Sequence, residues 1–137
     1  MRTEFRRLWE TFVSYGNVTT TKAAVRYINK IYVPFGKEIF DFIYTYPKLA
    51  PGLPDAMVSS FVRLQLGIPE PVGQLIVTEG FLPPDRADCA AIALDHDLQF
   101  PVTAETKDLW ALLETARELK NRYFFASISP ELIKEYE

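Results

Sequence analysis

The sequence predicts an α+β domain: a four-stranded antiparallel sheet with an N-terminal helix and a long C-terminal helix packed on one face. Three observations carry this. Four segments with period-two alternation are separated by short proline-containing breaks or by one longer loop, and consecutive strands joined by short turns pair antiparallel. Two segments carry apolar residues at helical spacing, one at each end of the chain. The ten prolines, at 34, 47, 51, 54, 69, 71, 83, 84, 101 and 130, all fall between periodic segments, where the missing N–H and fixed φ end elements.

The elements follow in order. Thr3 is placed to cap a first helix with Phe5, Leu8, Trp9, Phe12 and Val13 on one stripe, and Gly16-Asn17 is placed to end it in a left-handed turn. The first strand is Ala23–Val33. A short helical turn follows over Lys37–Ile43, and Pro47 to Pro54 forms a stiff loop. The second strand is Met57–Ile68, the third Val72–Leu82 and the fourth Asp88–Phe100. The long helix runs from a Thr103 cap to Tyr123, with Leu109, Leu112, Leu113, Ala116, Leu119 and Tyr123 as its buried stripe. Ser129 caps a last short helix with Pro130 at its first position. At 137 residues the chain supports one domain with one core, over residues 1–137.

Period two sorts each strand into faces. The face that meets the helices collects Val25, Tyr27, Ile31, Val33, Val58, Val62, Leu64, Leu66, Leu75, Val77, Phe81, Ala90, Ile92, Leu94 and Leu98. Three polar residues fall on it: Asn29, Glu79 and His96. Buried polar groups need partners, so these three are the candidate ligand-binding residues, in a cavity under the long helix. The alternative places them near strand ends, reaching water or capping a loop. The opposite face carries Arg26, Lys30, Tyr32, Arg63, Gln65, Gln74, Thr78, Asp95, Asp97 and Gln99, interrupted by Ile28, Phe61 and Ile76. Of these, Arg26, Ile28, Lys30, Tyr32, Phe61 and Arg63 are the candidate interface.

Other chemistry is weaker. Asp95 and Asp97 share a face about 6.6 Å apart along the strand, a spacing open to acid–base work or a hard cation. No third acidic ligand accompanies them, and pairing with Arg26, Lys30 or Arg63 explains them equally. Cys89 and His96 lie seven residues apart on one strand, on opposite faces, which excludes a dyad. There is no P-loop, GxGxxG or GxSxG. Lys120-Asn121-Arg122 before Tyr123-Phe124-Phe125 mixes base and ring, but cations at a helix end also answer the helix dipole. A net charge of −3 supplies no attraction for nucleic acid. No apolar run approaches the about 20 residues that cross a bilayer. A single cysteine excludes an internal disulfide and fits a reducing cytoplasm. No cofactor is implied.

Val25-Arg26-Tyr27-Ile28-Asn29-Lys30-Ile31, Leu94-Asp95-His96-Asp97 and Glu118-Leu119-Lys120-Asn121-Arg122-Tyr123-Phe124-Phe125 together resemble the C-terminal half of an uncharacterised, sporadically distributed bacterial family. Its longer members place an R-Y-I-N strand after an aromatic helix and an N-R-x-F helix end near the C-terminus. The resemblance covers nearly the whole chain, in the same order. It implies a bacterial protein and the C-terminal part of a longer ancestor, the family's N-terminal half having no counterpart here. The family has no assigned activity, so no catalytic residue is implied. A face that longer relatives cover with their own segment would be open in this chain. The reading is therefore a non-enzymatic, self-associating interaction domain, a homodimer. The alternative is small-molecule binding between sheet and long helix, and the least favoured is a hydrolase using Asp95 and Asp97.

Overall fold

The computed structural model describes residues 2–54, 57–104, 106 and 108–136. Its elements are α1 (Arg2–Ser14), β1 (Lys22–Pro34), α2 (Ile39–Phe42), β2 (Phe61–Ile68), β3 (Gly73–Phe81), β4 (Cys89–Pro101), α3 (Leu109–Ser127) and α4 (Pro130–Tyr136). The four strands form one antiparallel sheet in the order β1-β4-β3-β2. β1 and β2 are therefore the edges, with α2 and the segments 43–54 and 57–60 lying between them in the chain. Prolines end both long strands, Pro34 closing β1 and Pro101 closing β4.

Helix α3 lies on one face of the sheet, over β1 and β4. Ile31, Val33, Leu75, Val77, Ile92, Leu94, Leu98 and Phe100 of the sheet meet Ala116, Leu119 and Phe124 of α3. A strap after α2 completes the layer. Phe42, Ile43 and Tyr46 are buried, and Ile43 bridges antiparallel to Ile128 just past α3. The backbone N–H of Tyr44 donates to the Ser127 carbonyl at 2.8 Å, and that of Ser129 to the Phe42 carbonyl at 2.8 Å. These bonds satisfy groups that a helix end leaves unpaired.

Four differences from the sequence reading have local causes. α3 is capped by Asp108, whose Oδ1 accepts the N–H of Trp110 at 2.8 Å and of Ala111 at 3.2 Å. Thr103 instead closes its own turn, with its N–H donating to Thr106 Oγ1 at 3.1 Å and its carbonyl accepting from the Thr106 N–H. α3 also runs on to Ser127, because the apolar stripe continues through Phe124 to Ile128. β2 starts at Phe61, since β3 ends opposite it at Gly80–Phe81; Val58, assigned to the inner face, precedes the strand and is 95 % exposed. Thr3 lies inside α1, and Gly16 does not take a left-handed conformation. α1 closes with the Tyr15 N–H donating to the Phe12 carbonyl at 3.2 Å.

Among the described residues, α1 meets the body at Trp110. Phe5 meets Trp110 edge-to-face at 5.7 Å, and the Arg6 guanidinium sits 5.0 Å from the same ring. Phe5, Leu8 and Phe12 remain exposed. Among the described residues, no helix is long and apolar enough to cross a membrane.

The α3 cap is testable. Asp108→Ala removes the acceptor for two N–H groups and is expected to lower stability by about 1 kcal/mol in urea unfolding, with Thr103→Ala changing it far less. Equal losses for the two variants would contradict the assignment.

Candidate functional site

The structure brings Asn29, Glu79 and His96 together on the inner face. Asn29 on β1 and Glu79 on β3 both register with Leu94 of β4, from its two sides. His96 lies two residues further along β4, between Tyr27 and Val77. The three therefore surround Leu94, with His96 diagonal to each of the others, a relation that long side chains can span. Glu79 and His96 are fully buried, and Asn29 is half-buried.

His96 sits under α3. Its Nε2 lies 3.0 Å from Ser127 Oγ, and the Ser127 hydroxyl donates to the Tyr123 carbonyl at 2.7 Å. The single hydroxyl hydrogen is spent on that carbonyl. Nε2 must then carry the imidazole proton and donate to Oγ, which leaves Nδ1 as a bare acceptor. The ring packs edge-to-face on Phe124 at 6.0 Å, Phe124 on Tyr27 at 5.5 Å, and Lys120 Nζ lies 3.9 Å from the Tyr27 ring. Burial pushes the His96 pKa down to about 4. Glu79 accepts a hydrogen bond from the Thr45 hydroxyl on Oε1. Burial pushes its carboxyl above the usual range, opposed by the Thr45 bond.

Each member keeps one buried polar atom without a partner: Asn29 Nδ2, Glu79 Oε2 and His96 Nδ1. All three atoms are sealed from solvent, so the layer between sheet and α3 is closed around them. Such atoms cost about 1–3 kcal/mol each relative to paired ones. A cluster of this kind is a polar flaw in the core, held in place by the apolar side chains around it.

The outer face is organised differently. Arg26 registers with Asp97 but its guanidinium reaches diagonally to Asp95, with Nη2 at 2.5 Å and Nε at 3.0 Å from Oδ2. Asp97 accepts from Gln99 Nε2 at 2.5 Å. A ladder of amides continues across the strands: Gln65 Nε2 donates to Gln74 at 2.6 Å, Gln74 Nε2 to Gln99 at 3.0 Å, and Lys22 Nζ to Gln99 at 3.1 Å. Lys30 and the Tyr32 hydroxyl both bind Asp85 of the 83–88 turn, and Arg86 lies 4.1 Å from the Tyr32 ring. Arg63 and Phe61 stand exposed on the β2 edge. Both aspartates thus have partners, and no group of three His, Cys, Asp or Glu among the described residues is arranged to hold a metal. Cys89 is buried, unpaired and on the face opposite His96.

Thr45, Ser127 and Asp85 were not singled out from the sequence. Ser127 sits four residues after Tyr123, so extending the α3 periodicity by one turn places it on the buried stripe. Thr45 and Asp85 lie in irregular segments with no periodicity to place them.

The buried pair fixes the sign of two pH effects. Unfolded His96 takes up a proton below about pH 6.5 while the folded ring resists until about pH 4, so stability is lost as pH falls through that window. The loss reaches about 3 kcal/mol at its acid end. Glu79 acts oppositely: its unfolded carboxyl ionises first as pH rises, so stability is lost with rising pH. Urea unfolding at pH 7, 5 and 4 is expected to show a shallower acid loss in His96→Gln than in the unaltered chain. Glu79→Gln, which keeps an acceptor for Thr45, is expected to raise the melting temperature at pH 7. Parallel pH profiles for His96→Gln and the unaltered chain would contradict the burial argument.

Set against protein-family models, curated proteins and solved structures, the chain finds no match.

Proposed function

We propose that this chain is a non-enzymatic interaction domain that self-associates, two copies meeting through the outer face of the sheet, in the reducing cytoplasm of a bacterium. The observation that carries the reading is apolar exposure at the two edges of that face, while its middle buries Ile76, Ala91 and Asp95. Ile28 is 59 % exposed and Phe61 73 % exposed, and α3 lies on the other side of the sheet.

Size and charge support a second copy as the occupant. At about 4.8 Å between strands and about 3.3 Å per residue, the face covers roughly 700 Å². A stable interface uses about 800 Å² on each partner. Most charges on the face are already neutralised within it, Arg26 by Asp95 and Lys30 by Asp85. Arg63 on β2, Lys22 on β1 and Asp97 on β4 differ: none has an ion-pair partner among the described residues, Lys22 and Asp97 each bonding to Gln99. Register places Arg63 in the row of Thr78 and Asp97 in the row of Ile76, with β3 between them. The point midway between Arg63 and Asp97 therefore falls between Thr78 and Ile76, near the middle of the sheet. A two-fold axis lying parallel to the face above that point, perpendicular to the line from Arg63 to Asp97, sets Arg63 of one copy opposite Asp97 of the other, so the face complements itself.

Sedimentation velocity at tens of micromolar is expected to show a dimer. Arg63→Glu, which opposes two carboxylates, is expected to weaken it at least tenfold. Adding Asp97→Lys to Arg63→Glu restores the pairing with reversed sign. A monomer at all concentrations, or a dimer indifferent to both substitutions, would sink the proposal.

A further inference from the structure

We propose that two clefts meeting at Tyr46 and Met57 form one binding site for a single-chain amphiphile, an apolar chain ending in a hydrogen-bond-accepting head such as a carboxylate. The site is distinct from the closed polar cluster and borders the outer sheet face at Phe61. One cleft, of about 310 Å³, lies between Phe40 of α2 and Phe81 at the end of β3. The other, of about 490 Å³, lies between Leu53 and Val62 of β2. Both volumes fall in the range that small-molecule sites occupy, about 300–1,000 Å³, the second cleft being shallow and open to solvent. Tyr46, Pro47, Leu49 and Met57 line both clefts, so one thin wall of side chains divides them.

That wall is weakly held. The Tyr46 hydroxyl, on a residue only 5 % exposed, donates to Met57 Sδ at 2.7 Å. A thioether is a poor acceptor. An oxygen from a ligand head is a better partner for a buried phenol, and it competes directly for that donor. Met57 is unbranched and adaptable, so it can swing aside and join the two clefts into one elongated space. The lining is mostly apolar and suits a hydrocarbon chain. Lys37 and Glu38 both border the first cleft, and the buried phenol is the group that selects the head.

Methionine supplies the readout, because the sequence has only two. Protein labelled with ¹³C at the methionine methyls is titrated with decanoate below its micelle-forming concentration, and Met57→Leu assigns the Met57 signal. The Met57 methyl is expected to shift saturably. Tyr46→Phe, which keeps the ring and removes the donor, is expected to weaken binding about tenfold. Decylamine, whose ammonium head at neutral pH donates but cannot accept, is expected to bind more weakly than decanoate. No shift up to millimolar decanoate, equal affinity in Tyr46→Phe, or a shift produced only by phosphatidylcholine vesicles would each overturn the proposal.

Discussion

Strand β4 is the constraint on which the rest of the fold depends. It pairs along its whole length with β1 and along most of it with β3, and it alternates strictly, with Ile92, Leu94, His96, Leu98 and Phe100 inward and Ala91, Asp95 and Asp97 outward. A slip of one residue would turn the carboxylates into the core and Leu94 to the outer face. The registers of β1 and β3 against β4 then decide where everything else lands. They bring Asn29 and Glu79 to either side of Leu94, and Arg26 within reach of Asp95. Gly73, where β3 begins, shows how tight the packing is: a Cβ there would lie 2.5 Å from Phe100 Cδ1 and 2.7 Å from the Gln99 carbonyl. No residue but glycine fits without movement of the β4 end.

The inner layer tolerates its three unpaired polar atoms because of what surrounds them. Ile31, Ile92, Leu94 and Leu98 are fully buried around the cluster, and each such side chain contributes about 1.5–3 kcal/mol of transfer free energy. Two polar links tie the cluster to the covering elements, His96 to α3 through Ser127 and Glu79 to the strap through Thr45. Both links join the sheet near the place where the strap and the end of α3 pair through Ile43 and Ile128. These two links give α3 and the strap directional contacts with the sheet, which apolar packing alone does not supply.

Element order and strand faces were legible in the sequence because both rest on local signals. Prolines mark ends, and period two marks faces. Asn29, Glu79 and His96 could be grouped for the same reason: each interrupts an apolar alternation. The helix start was not legible, since Thr103 and Asp108 are both good caps and only the turn closed by Thr106 decides between them. Strand order was not legible either, because alternation says which way a side chain points and nothing about which strand lies beside it. Asp95 reads as a solvent-facing carboxylate, yet it is 8 % exposed. Its burial comes from Arg26 folding across it from β1, a contact sixty-nine residues away in sequence.

That buried Asp95 bears on whether the outer face can be covered at all. Enclosing an ion pair in an interface is unfavourable when both ions must lose their water there. Here Asp95 has already lost most of its water on folding, while Arg26 retains 59 % of its side-chain exposure. Of this pair, a second copy docking on the face would have mainly the guanidinium left to desolvate, beside the part-exposed Lys30–Asp85 pair. Guanidinium is more weakly hydrated than ammonium and keeps its bidentate carboxylate when covered. The same placement with lysine at position 26 would leave a strongly hydrated point charge to bury. The pairing inside one sheet would therefore lower the barrier to the proposed pairing between two, at the strand that also carries the exposed Ile28.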